Sequence, residues 1–303
     1  MDEKRLIVNA DDLGMSHGIT DAILLAHRYG VVTSASLMVN MPAAEYALER
    51  LLRAPNLGVG VHLNICRGKP ALPPSEVQTL VATDGSFLAP AVMARRLWRW
   101  QVAEWQIEAE FRAQIQWMKK YGLNPSHADS HHHMHIYPAA VRPFARALAA
   151  EGIRCARSPR CSHWPKNGTI GGPHKGAPLR RVLVQYYRSG LQKILFRRIS
   201  TPESRISFAA HDCANLGDLA RQWMLALKNL PAGTFELACH PGIMEPGFSE
   251  TDAIGFQRER ELRLLMDPEM RKAIERNGIR LITFNELRDT RAVRRRVAAA
   301  AAL

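Results

Sequence analysis

Cysteine is scarce in this sequence, and its few copies have no spacing that would join them. Five cysteines occur among 303 residues, and none forms a Cys-x-x-Cys pair. An odd, scattered set argues against a disulfide framework and against a cysteine-based zinc site. It indicates reduced thiols in a reducing compartment, so we expect a cytoplasmic protein.

Long apolar runs are also missing. No stretch approaches the roughly 20 apolar residues that a membrane-spanning helix requires. The first residues, Met-Asp-Glu-Lys-Arg, lack the basic-then-apolar order of a secretory signal. Hydrophobic residues still make up 47% of the chain, which is enough for a sizeable core and argues against disorder. The composition predicts a soluble globular protein.

Acidic residues are outnumbered by basic ones. The chain has 41 Lys and Arg against 28 Asp and Glu, a formal net charge of +13. Such a balance favours nucleic acid, an anionic membrane surface or an anionic substrate as partner, or it reflects an ordinary solvated surface. Much of the excess lies in residues 180–198 and 291–296. No nucleic-acid-binding motif accompanies them, so specific nucleic-acid binding is not expected. A weak contact of 180–198 with an anionic membrane stays open.

Short β-type runs alternate with amphipathic helical stretches along nearly the whole chain. The pattern predicts strands over residues 5–9, 34–40, 57–65, 125–130, 153–158, 206–210, 235–239 and 279–284. It predicts helices over residues 18–28, 43–53, 104–120, 139–151, 181–198, 216–230 and 257–277, the last interrupted at Asp267-Pro268. This alternation predicts parallel βαβ units, and about seven of them suit a (β/α) barrel better than a doubly wound sheet, which remains the alternative.

No segment is rich enough in Gly, Pro or Ser to divide the chain. We therefore expect one catalytic domain over residues 1–290, followed by a basic, alanine-rich tail over 291–303. Residues 67–90 and 160–178 are predicted to be long loops over one end of the barrel, where long loops are often functional.

Acids and histidines follow the predicted strands. Asp11 and Asp12 come directly after the first strand, and His62 lies near the end of the third. His131 belongs to a histidine cluster after the fourth, and His240 follows the strand over 235–239. Because the carboxyl ends of parallel barrel strands meet at one face, these side chains are expected to converge.

Carboxylate and imidazole are the ligands of a catalytic divalent ion with an open position for water. Such an ion polarises a carbonyl and acidifies water, while a carboxylate and a histidine move protons. Taken singly, an Asp-Asp pair is typical of a helix cap or turn, and one histidine of a core position. Five imidazoles within the nine residues 127–135 are harder to explain by packing. The joint placement at strand ends favours amide hydrolysis.

These motifs resemble a known family. The matching pieces are Leu6-Ile-Val-Asn-Ala-Asp-Asp-Leu-Gly14, residues 28–40, Gly60-Val-His62-Leu, Ser126-His-Ala-Asp-Ser-His-His-His-Met-His135, Cys239-His240-Pro241 and residues 260–284. In this order they are similar to the YdjC-like carbohydrate deacetylases, which include chito-oligosaccharide deacetylases and a hopanoid-biosynthesis branch. The resemblance spans residues 4 to 287 and is weakest between 160 and 230.

The resemblance implies a distorted, incomplete (β/α) barrel that removes acetyl groups from an N-acetylated sugar or glycolipid. It implies one divalent ion, Mg²⁺ or Zn²⁺, held by Asp12, His62 and His131. Asp11 would be the general base and His240 the acid that protonates the departing amine. Family members also suggest a homodimer.

The other polar residues of the motifs receive supporting roles. The resemblance places five side chains around the metal ligands or the substrate: His127, Asp129, His132, His133 and His135. From their position on or after the strand over 153–158, Arg157 and Arg160 are candidates for binding substrate hydroxyls or an anionic group, with ordinary surface arginines as the alternative. Two other functions stay open: a metal-dependent phosphoesterase, and a peripheral membrane or nucleic-acid-binding protein with a non-catalytic metal site.

Overall fold

The computed structural model describes residues 3–163, 183–184, 187–191, 199–207, 215–245 and 254–287. The strands are β1 Lys4–Leu13, β2 Ser34–Leu37, β3 Gly58–Leu63, β4 Ala128–Ser130, β5 Cys161–His163, β6 Ser204–Ser207, β7 Gly233–Cys239 and β8 Ile279–Leu281. The helices are α1 His17–Tyr29, α2 Ala44–Leu51, α3 Pro90–Trp98, α4 Glu104–Lys120, α5 Pro138–Ala150, α6 Leu216–Lys228, α7 Gly255–Leu265 and α8 Pro268–Arg276. Two short 3-10 helices cover Pro74–Glu76 and His131–Ile136.

The strands form one parallel sheet in the order β4-β3-β2-β1-β7-β6-β5. β8 pairs with the first residues of β1, whereas β2 pairs with its later residues from Asn9 onward. Single parallel bridges, Ala128 to Ala156 and Cys155 to Ser200, link the β4 edge toward the opposite side. The sheet is therefore a curled, incompletely closed barrel, and the predicted distorted (β/α) barrel is confirmed.

Strand β1 is the axis of the fold, and its alternation separates two environments. Leu6 and Val8 belong to the large core between sheet and helices, whereas Ile7 packs with the smaller cluster around Phe284. Successive strand residues point to opposite faces, so Asn9 follows Ile7 on the second side. The side chain of Asn9 donates hydrogen bonds to Asp11 and Ser36. The apolar cluster thus supports a polar layer toward the carboxyl ends of the strands.

Most predicted helices and strands are found within a few residues of their expected limits. The helix predicted over 104–120 is α4, with the same limits. The predicted interruption is also present: the Asp267 side chain accepts the backbone N–H of Glu269 and caps α8, whose first residue is Pro268. A proline is tolerated there because the first helical N–H has no partner within the helix.

One predicted strand and both predicted long loops need correction. Residues 153–158 form no regular strand and contribute only the two single bridges, whereas β5 lies at 161–163 inside the predicted loop. The predicted loop 67–90 contains a 3-10 helix and ends at the first residue of α3, which was not predicted. Residues 183–184 and 187–191 of the predicted basic helix are helical. The rest of that helix, residues 164–178 and the tail 291–303 lie outside the described residues.

Helix α4 holds the chain that follows the third strand. The Gln114 side chain accepts the backbone N–H of Asn64 and donates to its carbonyl, two residues beyond His62. The buried Glu110 carboxylate accepts the N–H groups of Ala71 and Leu72. Charged and amide side chains on the inner face of this helix therefore fix the exit of β3.

The described part of the chain contains no helix that is both long and apolar enough to cross a membrane. The four cysteines in the described ranges, Cys66, Cys155, Cys161 and Cys239, are buried free thiols. The thiols agree with the prediction from cysteine spacing, and the cytoplasmic location stays a prediction.

Candidate active site

The two neighbouring acids Asp11 and Asp12 both reach the interior because the strand is irregular between them. Adjacent residues of a regular strand face opposite sides. The register of β1 with β2 shifts between Ala10 and Leu13, and Asp12 has a left-handed backbone with φ of 69°. Bulges and left-handed residues re-aim side chains in this way. Both carboxylates are 1% exposed as a result.

Asp12 lies between two imidazoles, one on β3 and one in the 3-10 helix that follows β4. Its Oδ1 is 3.4 Å from Nε2 of His62 and 3.0 Å from Nδ1 of His131. All three donor atoms lie within 4.8 Å of one another, and all three residues are buried. Oδ1 has no hydrogen-bond partner among the described residues, so these approaches are close without hydrogen-bond geometry. The structure thus brings together the three residues predicted to hold a metal ion.

His62 is oriented by the carboxylate of Asp129. Its Nδ1 is 2.8 Å from Asp129 Oδ1, which assigns the proton to Nδ1 and leaves Nε2 facing Asp12. This is the arrangement in which an outer carboxylate fixes a ligating imidazole. Burial alone would lower the pKa of His62, but Asp129, Asp11 and Asp12 raise it to about 9. Without an ion, His62 therefore holds a second proton that a bound cation must displace.

The other oxygen of Asp12 is held by an arginine from α7. Oδ2 accepts a hydrogen bond of 2.7 Å from Nη2 of Arg258, which is 1% exposed. Burial would raise the pKa of Asp12, but Arg258 and His131 keep it well below its ordinary value. Gly242 makes room for this arginine, since a Cβ there would lie 2.9 Å from the Cδ of Arg258. Asp12 is therefore ionised, with one oxygen fixed and one available.

Arg157 lies beneath the site, which corrects its predicted role as a substrate contact. It is 1% exposed, and its Nη1 and Nη2 bind the two oxygens of Asp11 at 2.7 and 2.6 Å. It also contacts Asp129 at 2.9 Å and Glu236 at 2.6 Å. Burial would raise the pKa of Asp11, but the guanidinium lowers it below its ordinary value. The donors of Arg157 are occupied by carboxylates and are not free to bind sugar hydroxyls.

His240 lies beside Asp11 at the more exposed side of the site. Its backbone N–H donates to Glu261 Oε2 at 2.6 Å, and its Nε2 is 3.7 Å from Asp11 Oδ2. The His240 side chain is 30% exposed, unlike the almost fully buried His62. A titratable group in this position can exchange protons with both solvent and a bound molecule.

The remaining histidines of the cluster divide into buried and outer groups. His127 stacks on Phe284, with ring centroids 3.8 Å apart, and burial lowers its pKa to about 3. His135 accepts or donates a hydrogen bond of 2.6 Å with Ser130, and burial lowers its pKa to about 3 as well. Both are neutral structural neighbours of the site. Gly60 is required beside His127, because a Cβ would lie 2.3 Å from its ring.

His132 and His133 form the turn after the candidate metal ligand His131. Both have left-handed backbones, with φ of 50° and 54°, which is unusual for residues other than glycine. His132 is exposed, and Nδ1 of His133 is buried without a hydrogen-bond partner in the described ranges. Strained backbone of this kind is frequent at binding sites.

Arg160 is exposed, so its proposed contact with substrate stays a prediction.

A second set of donors overlaps the first and suits a cation less well. Asp11, His62 and Asp129 are also mutually close. Both of these carboxylates are bound to the Arg157 guanidinium, and the His62 Nδ1 is committed to Asp129. A positive charge at hydrogen-bond distance opposes a cation there. The Asp12, His62 and His131 set is therefore the better metal centre, and its unpartnered oxygen fits the donor set that such an ion takes.

Several supporting residues were not predicted. They are Asn9, Ser36, Glu236, Arg258 and Glu261, all buried polar residues around the site. One signal was available: Arg258, Glu261 and Leu265 recur at helical spacing on the buried face of α7. Charged residues at core positions of a helix need buried partners, so this spacing could have pointed to the site.

A curled parallel sheet carries a buried Asp–His–His set beside a second carboxylate at the carboxyl ends of its strands. This arrangement is typical of (β/α) barrels with an active site at that end. The model of the YdjC-like protein family matches residues 5–276. The chain belongs to this family, and the resemblance seen in the sequence motifs is confirmed.

Named relatives are similar over most of their length. A carbohydrate deacetylase from Halalkalibacterium halodurans is 40% identical over 263 residues, covering 86% of this chain and 94% of the relative. A carbohydrate deacetylase from Geobacillus stearothermophilus is 34% identical over 286 residues, covering 92% and 96%. A crystal structure from Enterococcus faecalis V583, of a candidate cellobiose-phosphate cleavage protein, is 26% identical with a TM-score of 0.76, covering 94% of this chain and 99% of that one.

Proposed function

We propose that this protein is a hydrolase that removes the acetyl group of an N-acetylated amino sugar, releasing acetate and the free amine. The observation that carries the proposal is the pairing of two buried carboxylates with different surroundings. Asp12 turns toward His62 and His131 an oxygen that accepts no hydrogen bond from the described residues, and Asp11 lies next to it under His240. The family and its relatives named carbohydrate deacetylases support the same chemistry.

Asp12, His62 and His131 would hold one divalent ion, Mg²⁺ or Zn²⁺. When bound, such an ion supplies Lewis acidity toward a carbonyl oxygen and toward water. Oxygen and imidazole ligands accommodate either metal, so the donor types do not choose between them. Asp129 and Arg258 keep His62 and Asp12 in their orientations through hydrogen bonds of 2.8 and 2.7 Å.

Asp11 acts as the general base. Arg157 binds both of its oxygens and keeps it ionised near neutral pH, which a base requires. Asp11 Oδ1 accepts hydrogen bonds from both Arg157 and Asn9, whereas Oδ2 accepts one from Arg157, faces His240 and has a further lone pair. Asp11 takes a proton from the attacking water as that water adds to the acetamide carbon.

His240 acts as the general acid. Its Nε2 is 3.7 Å from Asp11, and Glu261 fixes its backbone, so the imidazole has a defined place at the mouth. Amide cleavage leaves an amine that must gain a proton as the C–N bond breaks. His240 donates this proton to the sugar nitrogen, and acetate departs.

The deciding experiment measures acetate release from N-acetylglucosamine oligosaccharides and phosphate release from a generic aryl phosphate, with metal analysis of the same sample. We expect acetate, little phosphate, loss of activity with a chelator and recovery with a divalent ion. His131→Ala should lose both the ion and the activity, whereas His27→Gln, on the outer helix α1, should keep both. Phosphate release without acetate would favour the phosphoesterase alternative. A fully active His131→Ala would contradict the ligand assignment.

A further inference from the structure

Three tryptophans are exposed in one short connection of the chain. Helix α3 ends at Trp98, and α4 begins at Glu104. The exposed fractions of Trp98, Trp100 and Trp105 are 58%, 54% and 63%. A single exposed apolar side chain is ordinary, whereas three exposed tryptophans within eight residues of sequence concentrate apolar surface in one segment, as interaction sites do.

Trp100 occupies a backbone position that suits glycine. The N–H of Gln101 bonds to the carbonyl of Arg96, closing the end of α3, and Trp100 between them has a left-handed φ of 56°. Glycine is the usual residue there because a Cβ is strained in this conformation. Trp100 makes no ring contact with the described residues. The backbone strain at Trp100 is therefore not offset by ring stacking within the described fold.

Arginines without an ion-pair partner among the described residues accompany the tryptophans, and Arg96 also donates a 3.5 Å hydrogen bond to the carbonyl of Thr79. Arg95, Arg96 and Arg99 belong to the same turn of α3 and its end, and none forms an ion pair with any residue that the structure describes. The nearby acid Glu104 is already paired with Arg146 at 2.9 Å. We call residues Arg95, Arg96, Trp98, Arg99, Trp100 and Trp105 the Trp–Arg patch. Its charge is positive.

The Trp–Arg patch adjoins the histidine motif of the site. The ring of Trp98 lies 6.4 Å from that of Tyr137 and 6.2 Å from that of Tyr187, both edge-to-face. Tyr137 directly follows the 3-10 helix His131–Ile136, and the Tyr187 hydroxyl donates to the carbonyl of Ile136. The patch and the candidate metal ligand His131 therefore belong to the same end of the barrel.

We propose that the Trp–Arg patch docks the protein on an anionic phospholipid bilayer. Indole rings settle at the headgroup level, and arginines bind the lipid phosphates, so exposed tryptophan with unpaired arginine matches such a surface. A neutral polysaccharide would use the rings but not the three charges. Docking in this way brings the site mouth toward a lipid-linked sugar; that consequence rests on the proposed function, whereas the docking does not.

Vesicle flotation of the full chain tests the proposal. The protein should float with phosphatidylcholine–phosphatidylglycerol vesicles at low salt, and much less with phosphatidylcholine alone or at high salt. Trp100→Gly and Trp105→Ala should weaken binding, and Trp100→Gly should fold at least as well because it relieves the left-handed strain. Arg95→Gln and Arg99→Gln should each weaken binding about fivefold at low salt. Tyr121→Ala is the matched control, an exposed aromatic at the other end of α4.

Acetate release from a soluble N-acetylated oligosaccharide is measured on the same variants and should be unchanged, so a failure of docking and a failure of catalysis are told apart. Absence of flotation at low salt, or flotation that the tryptophan variants leave intact, overturns the proposal. So does binding to insoluble polysaccharide without binding to vesicles. A dimer that dissociates in Trp100→Gly without any vesicle binding would assign the patch to a second copy of the chain instead.

Discussion

Asp11 and Asp12 are adjacent in the chain, equally buried, and yet surrounded differently. Asp11 has both oxygens bound by Arg157, and Asn9 adds a further hydrogen bond to Oδ1. Asp12 has one oxygen bound by Arg258, while the other faces two imidazoles without a hydrogen-bond partner among the described residues. Two carboxylates in unlike surroundings can perform two different tasks at one pH.

The difference originates in the backbone. If β1 were regular through this point, one of the two side chains would face the helices and not the interior. The bulge and the left-handed Asp12 bring both inward but at different heights, so each meets its own arginine. Arg157 belongs to the chain after β4, and Arg258 to α7. The fold thus separates two regions: the floor of the site, in which Asp11, Asp129 and Glu236 share the Arg157 guanidinium, and the open donor set of Asp12, His62 and His131.

The largest expected effect comes from exchanging the two acids for their amides. Asp12→Asn should lose the ion and reduce acetate release by at least about three orders of magnitude, since the Lewis acid goes with it. Asp11→Asn should retain the ion but lose about 10²- to 10⁴-fold in kcat through the missing base. Metal analysis with kinetics separates them. Equal metal loss in both variants would show that the two carboxylates do not differ as described.

The floor of the site should govern stability. Arg157→Gln leaves Asp11, Asp129 and Glu236 buried without their cation, which should cost about 3–5 kcal/mol in the free energy of unfolding. In the wild type the lowered pKa values of Asp11 and Asp129 give stability that is present above their unfolded values and lost as pH falls through the folded ones. The variant lacks this contribution, so its deficit should shrink toward acidic pH.

Denaturant unfolding at neutral and acidic pH measures this deficit. The matched control is Arg146→Gln, whose two ion pairs with Glu104 and Glu108 are half exposed and should contribute less than about 1 kcal/mol. A loss in Arg157→Gln no larger than in the control would mean that solvent reaches the floor and screens its charges.

A smaller effect is expected at Asp129, which contacts both the Arg157 floor and His62 of the open donor set. Asp129 binds Arg157 on one side and orients His62 on the other. Compared above about pH 9, where His62 is neutral, Asp129→Asn should lower metal affinity about 10- to 100-fold, the usual range for an outer partner of a ligating histidine. Ser36→Ala removes a single hydrogen bond from a neutral hydroxyl to Asp129 and should lower the metal affinity less. Calorimetric metal titration compares them; an unchanged affinity in Asp129→Asn would leave His62 without its assigned orienting partner.

The convergence of the donor set on one end of the barrel could be predicted from the sequence because it depends on the regular parallel strands, whereas the inward turn of Asp12 depends on the bulge in β1 and could not. Once Asp12, His62 and His131 are placed at the ends of parallel strands, the barrel brings them to one face. The same regularity explains why α4 was predicted with its observed limits. The hydrophobic period and the alternation of strands and helices along the chain are properties of local sequence. They are sufficient to predict the limits of α4 and the end of the barrel at which the donors meet.

The partners of the acids could not be predicted in the same way. Arg258 is 246 residues from Asp12, and Arg157 is 146 residues from Asp11. No local pattern distinguishes the buried Arg157 from a surface arginine, so its burial could not be predicted, whereas Arg258 and Glu261 at least recur at helical spacing. The bulge at Asp12 depends on pairing with β2, and β5 depends on pairing with β6; both result from long-range register, not from composition.

A pH-dependent effect concerns protons at the open donor set. In the metal-free protein the pKa of His62 is raised from 6.5 to about 9, so its proton stabilises the fold fully below pH 6.5, and that contribution is lost as pH rises through about 9. A bound ion needs the neutral ring. Metal affinity should therefore rise about tenfold per pH unit between these values and stop depending on His62 above them.

His131, whose pKa is lowered by burial, adds no proton to this slope. Because Asp129 is the largest cause that raises the pKa of His62, Asp129→Asn should move the end of the slope to lower pH. Metal titrations at several pH values that show no slope in the wild type would mean that His62 binds the ion without releasing a proton. The donor set around Asp12 would then differ less from the surroundings of Asp11 than described.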